Sequence, residues 1–160
     1  MNKIFVSVFY IGFSPVAPGT LGSLAGVLLG YIIQNTGGLP LLIIAVLVVF
    51  LAGWYFSHTY MLTRTLGKDP QEIVIDEVSG QLLSYVPISF YLWWFSYESY
   101  HSTILDWSIA FIFFRLFDIF KPWPINWADH IDSALGVMLD DLFAGLYSAI
   151  LIGGIILYFL

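Results

Sequence analysis

Residues 39–56 read LPLLIIAVLVVFLAGWYF, an apolar run without a charged side chain that closes on Trp54 and Tyr55. As an α-helix it would be about 27 Å long, close to the thickness of a bilayer's hydrocarbon core. Trp and Tyr at its end fit the aromatic belt of a membrane interface. The rest of the chain has the same character. Of 160 residues, 59% are apolar and 10% charged, where ordinary globular domains have roughly 45–50% and 25%. Mean hydropathy is +0.88. So few charges cannot cover a water-facing surface, and the chain has too much to bury to be disordered. Five Lys+Arg against eleven Asp+Glu, net −6, exclude a nucleic-acid backbone as partner. Zero Cys removes disulfides, thiolate zinc sites and cysteine nucleophiles. Length argues for one domain, so residues 1–160 are expected to form a single integral membrane domain.

Working outward, 34–38 (QNTGG) is a turn cluster, and the apolar run before it makes a first span at about 18–34. Residues 4–13 are too short to cross and read as interfacial or re-entrant. Residues 57–72 are polar and read as a loop or short surface helix. Spans follow at 73–95, 104–120 and 136–160. The stretch between the last two holds Pro122, Trp123, Pro124 and Trp127 and suits an interfacial loop. The expected fold is an all-α, polytopic membrane helical bundle, with about five crossings plus short interfacial or re-entrant helices. Alternating five crossings puts Lys3, Arg64, Lys68, Arg115 and Lys121 on one side, which the positive-inside rule makes cytoplasmic. This count depends on 18–34 crossing fully.

The same alternation brings polar chemistry to that face. Asp76, Glu77, Asp118, Asp140 and Asp141 fall at the inner ends of three helices, whereas Glu98 and Asp106 go to the other face. Carboxylates within membrane segments are costly unless paired or metal-bound, so they point to function; the plainer reading is hydration in the headgroup layer. Asp76-Glu77 and Asp140-Asp141 are adjacent pairs, about 100° apart on a helix, so one member of each pair can face away from a shared site. Oxygen ligands without Cys favour a hard cation, Mg²⁺ first. Arg115 and Asp118 are i, i+3, either an intrahelical ion pair or an Arg fork for phosphate held by Asp118. Lys121 is either a second cation of the site or a partner of a helix C-terminus. Thr20, in the turn at 18–23, reads as an N-cap opening a helix start that can hold an anion. His58, His101 and His130 are scattered and form no metal-ligand pair.

Carboxylates, a hard metal, Arg and Lys at a lipid–water boundary suit phosphoryl transfer. The metal would lower the pKa of a bound water and a spare carboxylate would take its proton, with an aspartyl-phosphate route also open. A small cation or proton carrier using the same acids is the main rival, although transporters usually place their sites near the midplane. A phosphotransferase making a lipid phosphodiester is a third reading.

Four blocks, GFSPVAPGTLGSL (12–24), KDPQEIVIDEVSGQLL (68–83), FRLFDIFKPWPI (114–125) and GVMLDDLFAGL (136–146), resemble in order the signature blocks of the phosphatidylglycerophosphatase A family. The resemblance implies a bacterial inner-membrane, Mg²⁺-dependent phosphatase that converts phosphatidylglycerophosphate to phosphatidylglycerol, its site facing the cytoplasm. It also implies the site by position. Asp76, Glu77, Asp118, Asp140 and Asp141 are the expected metal ligands. Asp141, Asp118, Arg115 and Lys121 are the expected catalytic residues, and Thr20, Arg115 and Lys121 the expected phosphate-binding ones. One departure is Ser133-Ala134, where the family pattern has a glycine pair.

Overall fold

The computed structural model describes residues 2–63, 71–95 and 103–159, and the regular elements among them are all helical. They are α1 (Asn2–Val6), α2 (Pro18–Leu62), α3 (Ile75–Trp94), α4 (Ile104–Phe120), α5 (Ile125–Asp129) and α6 (Ala134–Phe159), with a 3-10 turn at Ile11–Phe13. By length and apolar composition, α2 and α6 are each able to cross a membrane. Arg64, Lys68 and Glu98 lie outside the described residues.

The turn expected at 34–38 shrinks to one residue. Two helical arms meet there at a kink, and within 18–62 Gly38 is the non-helical residue, at φ 58°, ψ −150°, a conformation open essentially to glycine alone. The chain reverses there. Gly22, Gly26 and Gly30 lie against Val74, just ahead of α3, and then Gln81 and Leu82 within it, so residues 18–37 run with α3. Leu39 and Ile43 share a groove with Val86, Pro87 and Phe90, whereas Gly53 meets Ile75, so residues 39–62 run against it. Asn35 and Thr36, which resemble loop residues, return their side chains to the carbonyls of Tyr31 and Ile32.

The second arm also runs further than its composition suggests, through Ser57 to Leu62. Its extension is supported by α1. Phe5 stacks on Phe56 at 4.7 Å, Asn2 donates to Thr59 at 2.9 Å, and Val6 packs with Tyr60, Ile73 and Val137. Residues 4–13 therefore fold onto the bundle end.

Helices α3 and α6 run in parallel and touch backbone to backbone. A Cβ on Gly145 would lie 3.0 Å from Gly80 Cα, and one on Gly80 would strike the Asp141 carbonyl. Small residues at a crossing permit such approach. Helix α4 runs the other way, with Ser23 beside Arg115 and Gly30 against Trp107. The central core is Leu42, Val46, Leu82, Tyr85, Trp107, Ala110 and Ile152, with Tyr85 and Trp107 stacked at 3.5 Å. Outward-facing positions such as Leu28, Leu47, Ile112 and Ile150 are exposed and apolar.

Candidate active site

The helix directions bring five ends together: the first turn of α2, the starts of α3 and α6, the end of α4, and α5. Between them lies a cavity of about 360 Å³, lined by Asp76, Glu77, Asp118, Asp140 and Asp141 with Lys121, Asp129, Pro18 and Gly19 among others. Each of the five carboxylates expected at the site lies on this wall. Asp106 lies at the opposite end, beside Tyr91 and Ile155.

The Gly80–Gly145 contact sets the arrangement. Gly80 is one turn beyond Asp76, and Gly145 one turn beyond Asp141, so the close crossing holds the acids of α3 against those of α6. Both adjacent pairs face the cavity, because it opens across the helix ends and not along one face. Carboxylate oxygens of Asp76, Glu77 and Asp141 lie within 4.8 Å of one another. Within each pair the first residue caps locally. Asp76 Oδ1 accepts from the Glu77 N–H at 3.0 Å, and Asp140 Oδ1 from the Asp141 N–H at 2.9 Å. Glu77 Oε2 and Asp141 Oδ1 are buried with no hydrogen-bond partner among the described residues. Unpaired buried carboxylate oxygens are expensive. Hard oxygen donors this close, two of them unsatisfied, fit a divalent cation such as Mg²⁺.

The cations take different positions. Lys121 is the C-cap of α4 in the left-handed conformation, φ 43°, its N–H donating to the Phe117 carbonyl. Its side chain does not serve that helix end. It reaches into the cavity and donates to Asp129 and, at 2.8 Å, to Asp140 Oδ2. Burial lowers the affinity of the ammonium for its proton, but the hydrogen bonds to Asp129 and Asp140 outweigh this and push its pKa above the usual lysine value. It is therefore a full cation at neutral pH. Arg115 stands behind the wall. Its Nη1 pairs with Asp118 Oδ2 at 2.6 Å and donates to Ser23 Oγ at 3.3 Å. The intrahelical ion pair is thus present, and it clamps Asp118 against the start of α2.

Thr20 does not cap its helix. The N-cap is Ala17, left-handed at φ 44°, ψ 58°, with no side-chain cap, and Thr20 lies inside the first turn. Pro18 explains the shift: its fixed φ and missing N–H suit the first helical position, so the helix begins before Thr20. Gly19, not Thr20, reaches the cavity wall, and a Cβ there would collide with Glu77 Oε1. The residue that sequence reasoning missed is Asp129. It sits in the Pro- and Trp-rich stretch, where no periodicity announces direction, and only its proximity to Lys121 in the chain hinted at a role.

A family model described as Phosphatidylglycerophosphatase A matches residues 4–156. The Haemophilus influenzae protein named phosphatidylglycerophosphatase A is 34% identical over 139 residues, covering 85% of this chain and 77% of its own length. The Escherichia coli protein of the same name is 33% identical over 146 residues, 88% of this chain and 75% of its own. A Bacteroides thetaiotaomicron protein, whose name provisionally assigns phosphatidylinositol-3-phosphatase activity, is 32% identical over 148 residues, 90% and 86% of the two chains. No solved structure matches the chain.

Proposed function

The chain belongs to the phosphatidylglycerophosphatase A family, and from that premise we propose that it is a phosphoric monoester hydrolase that converts phosphatidylglycerophosphate to phosphatidylglycerol and phosphate. The observation that carries this reading is the meeting of Asp76, Glu77, Asp118, Asp140 and Asp141 with Lys121 on one cavity. The family does not favour the cation-carrier alternative, because its members are named for a phosphatase.

Asp76, Glu77 and Asp141 would hold Mg²⁺, with Asp118 and Asp140 beside them. When bound, the cation supplies Lewis-acid charge for the phosphoryl oxygens and cancels the repulsion among the carboxylates. The chain's own residues do the rest. Lys121 offers its ammonium to the phosphoryl oxygens as charge builds on them. Arg115 keeps Asp118 aimed and adds positive field. A carboxylate of Asp118 or Asp141 takes a proton from the attacking water. The water oxygen bonds to phosphorus, the bond from phosphorus to the headgroup glycerol oxygen breaks, and the same carboxyl returns its proton to the departing oxygen, so that phosphatidylglycerol leaves as the alcohol.

We place the two arms of α2 with α3, α4 and α6 as five crossings of a bacterial inner membrane, the cavity at headgroup depth on the cytoplasmic side. The apolar exterior supports this, as does the position of Lys3, Arg115 and Lys121 at the cavity end. A reporter fused after Leu160 should read periplasmic and one inserted at Lys68 cytoplasmic; a cytoplasmic C-terminus would remove one crossing.

Phosphate release from detergent-solubilised protein tests the chemistry, with phosphatidylglycerophosphate, phosphatidic acid and phosphatidylinositol 3-phosphate compared side by side. Turnover should be fastest on the first, vanish with a chelator and return with Mg²⁺. Faster turnover of the inositol lipid would reassign the substrate. Full activity in excess chelator would end the metal assignment.

A further inference from the structure

Among the described residues, Asp129 is the one carboxylate of the cavity wall carried by a short helix. Its place is set by packing that does not involve its charge. In α5, Ile125 is fully buried with Phe114 and Ala144, Ala128 is fully buried, and the Tyr147 hydroxyl donates to the Trp123 carbonyl at 2.9 Å just ahead of the helix. The Asp129 side chain is 37% exposed, against 11% for Asp140, so it stands at the rim and Asp140 further in. Lys121 spans the two. Asp140 Oδ1 is already engaged by the Asp141 N–H, leaving Oδ2 to Lys121.

We propose that Asp129 is a positioning residue for Lys121, holding the ammonium at the cavity rim, where an incoming phosphomonoester meets it. The proposal rests on the phosphatase reading. Without the Asp129 charge, Lys121 has Asp140 as its remaining partner among the described residues and closes down on it, away from the phosphate. Loss of a negative charge at the rim also lowers repulsion of a dianionic substrate. Turnover and apparent affinity should therefore separate: kcat falls while KM holds or falls.

The test is a double-mutant cycle on phosphatidylglycerophosphate with folded protein isolated by gel filtration. Asp129→Asn should lower kcat about tenfold, in the range for residues that orient a working group, without raising KM. Asp129→Glu should recover most of that loss. In a Lys121→Met background, Asp129→Asn should change kcat less than about twofold, since nothing remains for it to position. An Asp129→Asn kcat equal to wild type, a raised KM with kcat kept, or the same loss with and without Lys121 would each overturn the role. Absence of turnover in the wild-type control would instead bring down the phosphatase reading, and this role with it.

Discussion

The two ends of the bundle use the same residue type in opposite ways. At one end Asp106 lies in the first turn of α4 and is fully spent on local structure. It accepts from the Thr103 N–H at 2.7 Å and from the Thr103 hydroxyl at 2.9 Å, while its own N–H returns to the Thr103 side chain, forming a capping box. At the other end Asp76 and Glu77 lie in the first turn of α3, where neither engages the N-cap residue, and Asp140 and Asp141 lie in the second turn of α6. Asp76 and Asp141 are only 7% and 3% exposed, yet Asp141 keeps an unpartnered oxygen. An acid near a helix start is ordinary when satisfied and open to water. When it is buried and left wanting, beside five others, it points to a ligand.

The contrast is broken most sharply at Asp141. Asp141→Asn keeps the shape and removes the charge, and turnover should fall by about 10²–10³-fold, the scale of losing one preorganised electrostatic stabiliser. The same change at Asp106 should leave turnover near wild type. Equal losses at both, measured on folded protein, would dissolve the distinction between the ends.

A middle-sized effect is expected where the chain turns back at the far end. Nothing lies within 4 Å of a Cβ placed on Gly38, so Gly38→Ala meets no obstacle except its own backbone at φ 58°. Thermal or denaturant unfolding should show a loss of about 1–3 kcal/mol. The activity of the remaining folded protein should be largely kept, because Gly38 sits at the other end from the cavity. An unchanged stability would mean that the reversal does not depend on this conformation.

The smallest change is expected from Asp106→Ala, which removes one half of the capping box. It should cost about 0.3–1.5 kcal/mol by the same unfolding measurement and leave kcat within about twofold. A larger loss would give Asp106 a part beyond its helix end.

How far these differences could be read beforehand varies by residue. Asp76, Glu77, Asp118, Asp140 and Asp141 were legible because a charge inside an apolar run is conspicuous, and alternating the runs assigns each to an end. The reversal near Gly38 was legible too, from five turn-forming residues, but not its economy, since a single non-helical residue makes it. Ala17 as N-cap was hidden because it has no capping side chain; Pro18 makes it the cap by starting the helix early. The continuation to Leu62 depends on α1 docking from far along the chain, which local polarity around Ser57 obscures. Both readings of Arg115 could be written from its i, i+3 spacing; the structure shows its pair with Asp118 and adds a contact with Ser23, 92 positions away, that no spacing announces. Asp129 depends on the path of an irregular turn, for which periodicity has no rule.

The hairpin of α2 contains no Asp, Glu, Lys or Arg from Pro18 to Leu62. On the five-crossing placement proposed above, it therefore carries no electrical instruction about which way to enter a bilayer. On that placement its orientation during synthesis would be set from outside, by Lys3 ahead of it and by the basic residues that follow. Moving a single lysine onto the tip at Gly37 would give the hairpin a vote of its own, and set it against the rest of the protein.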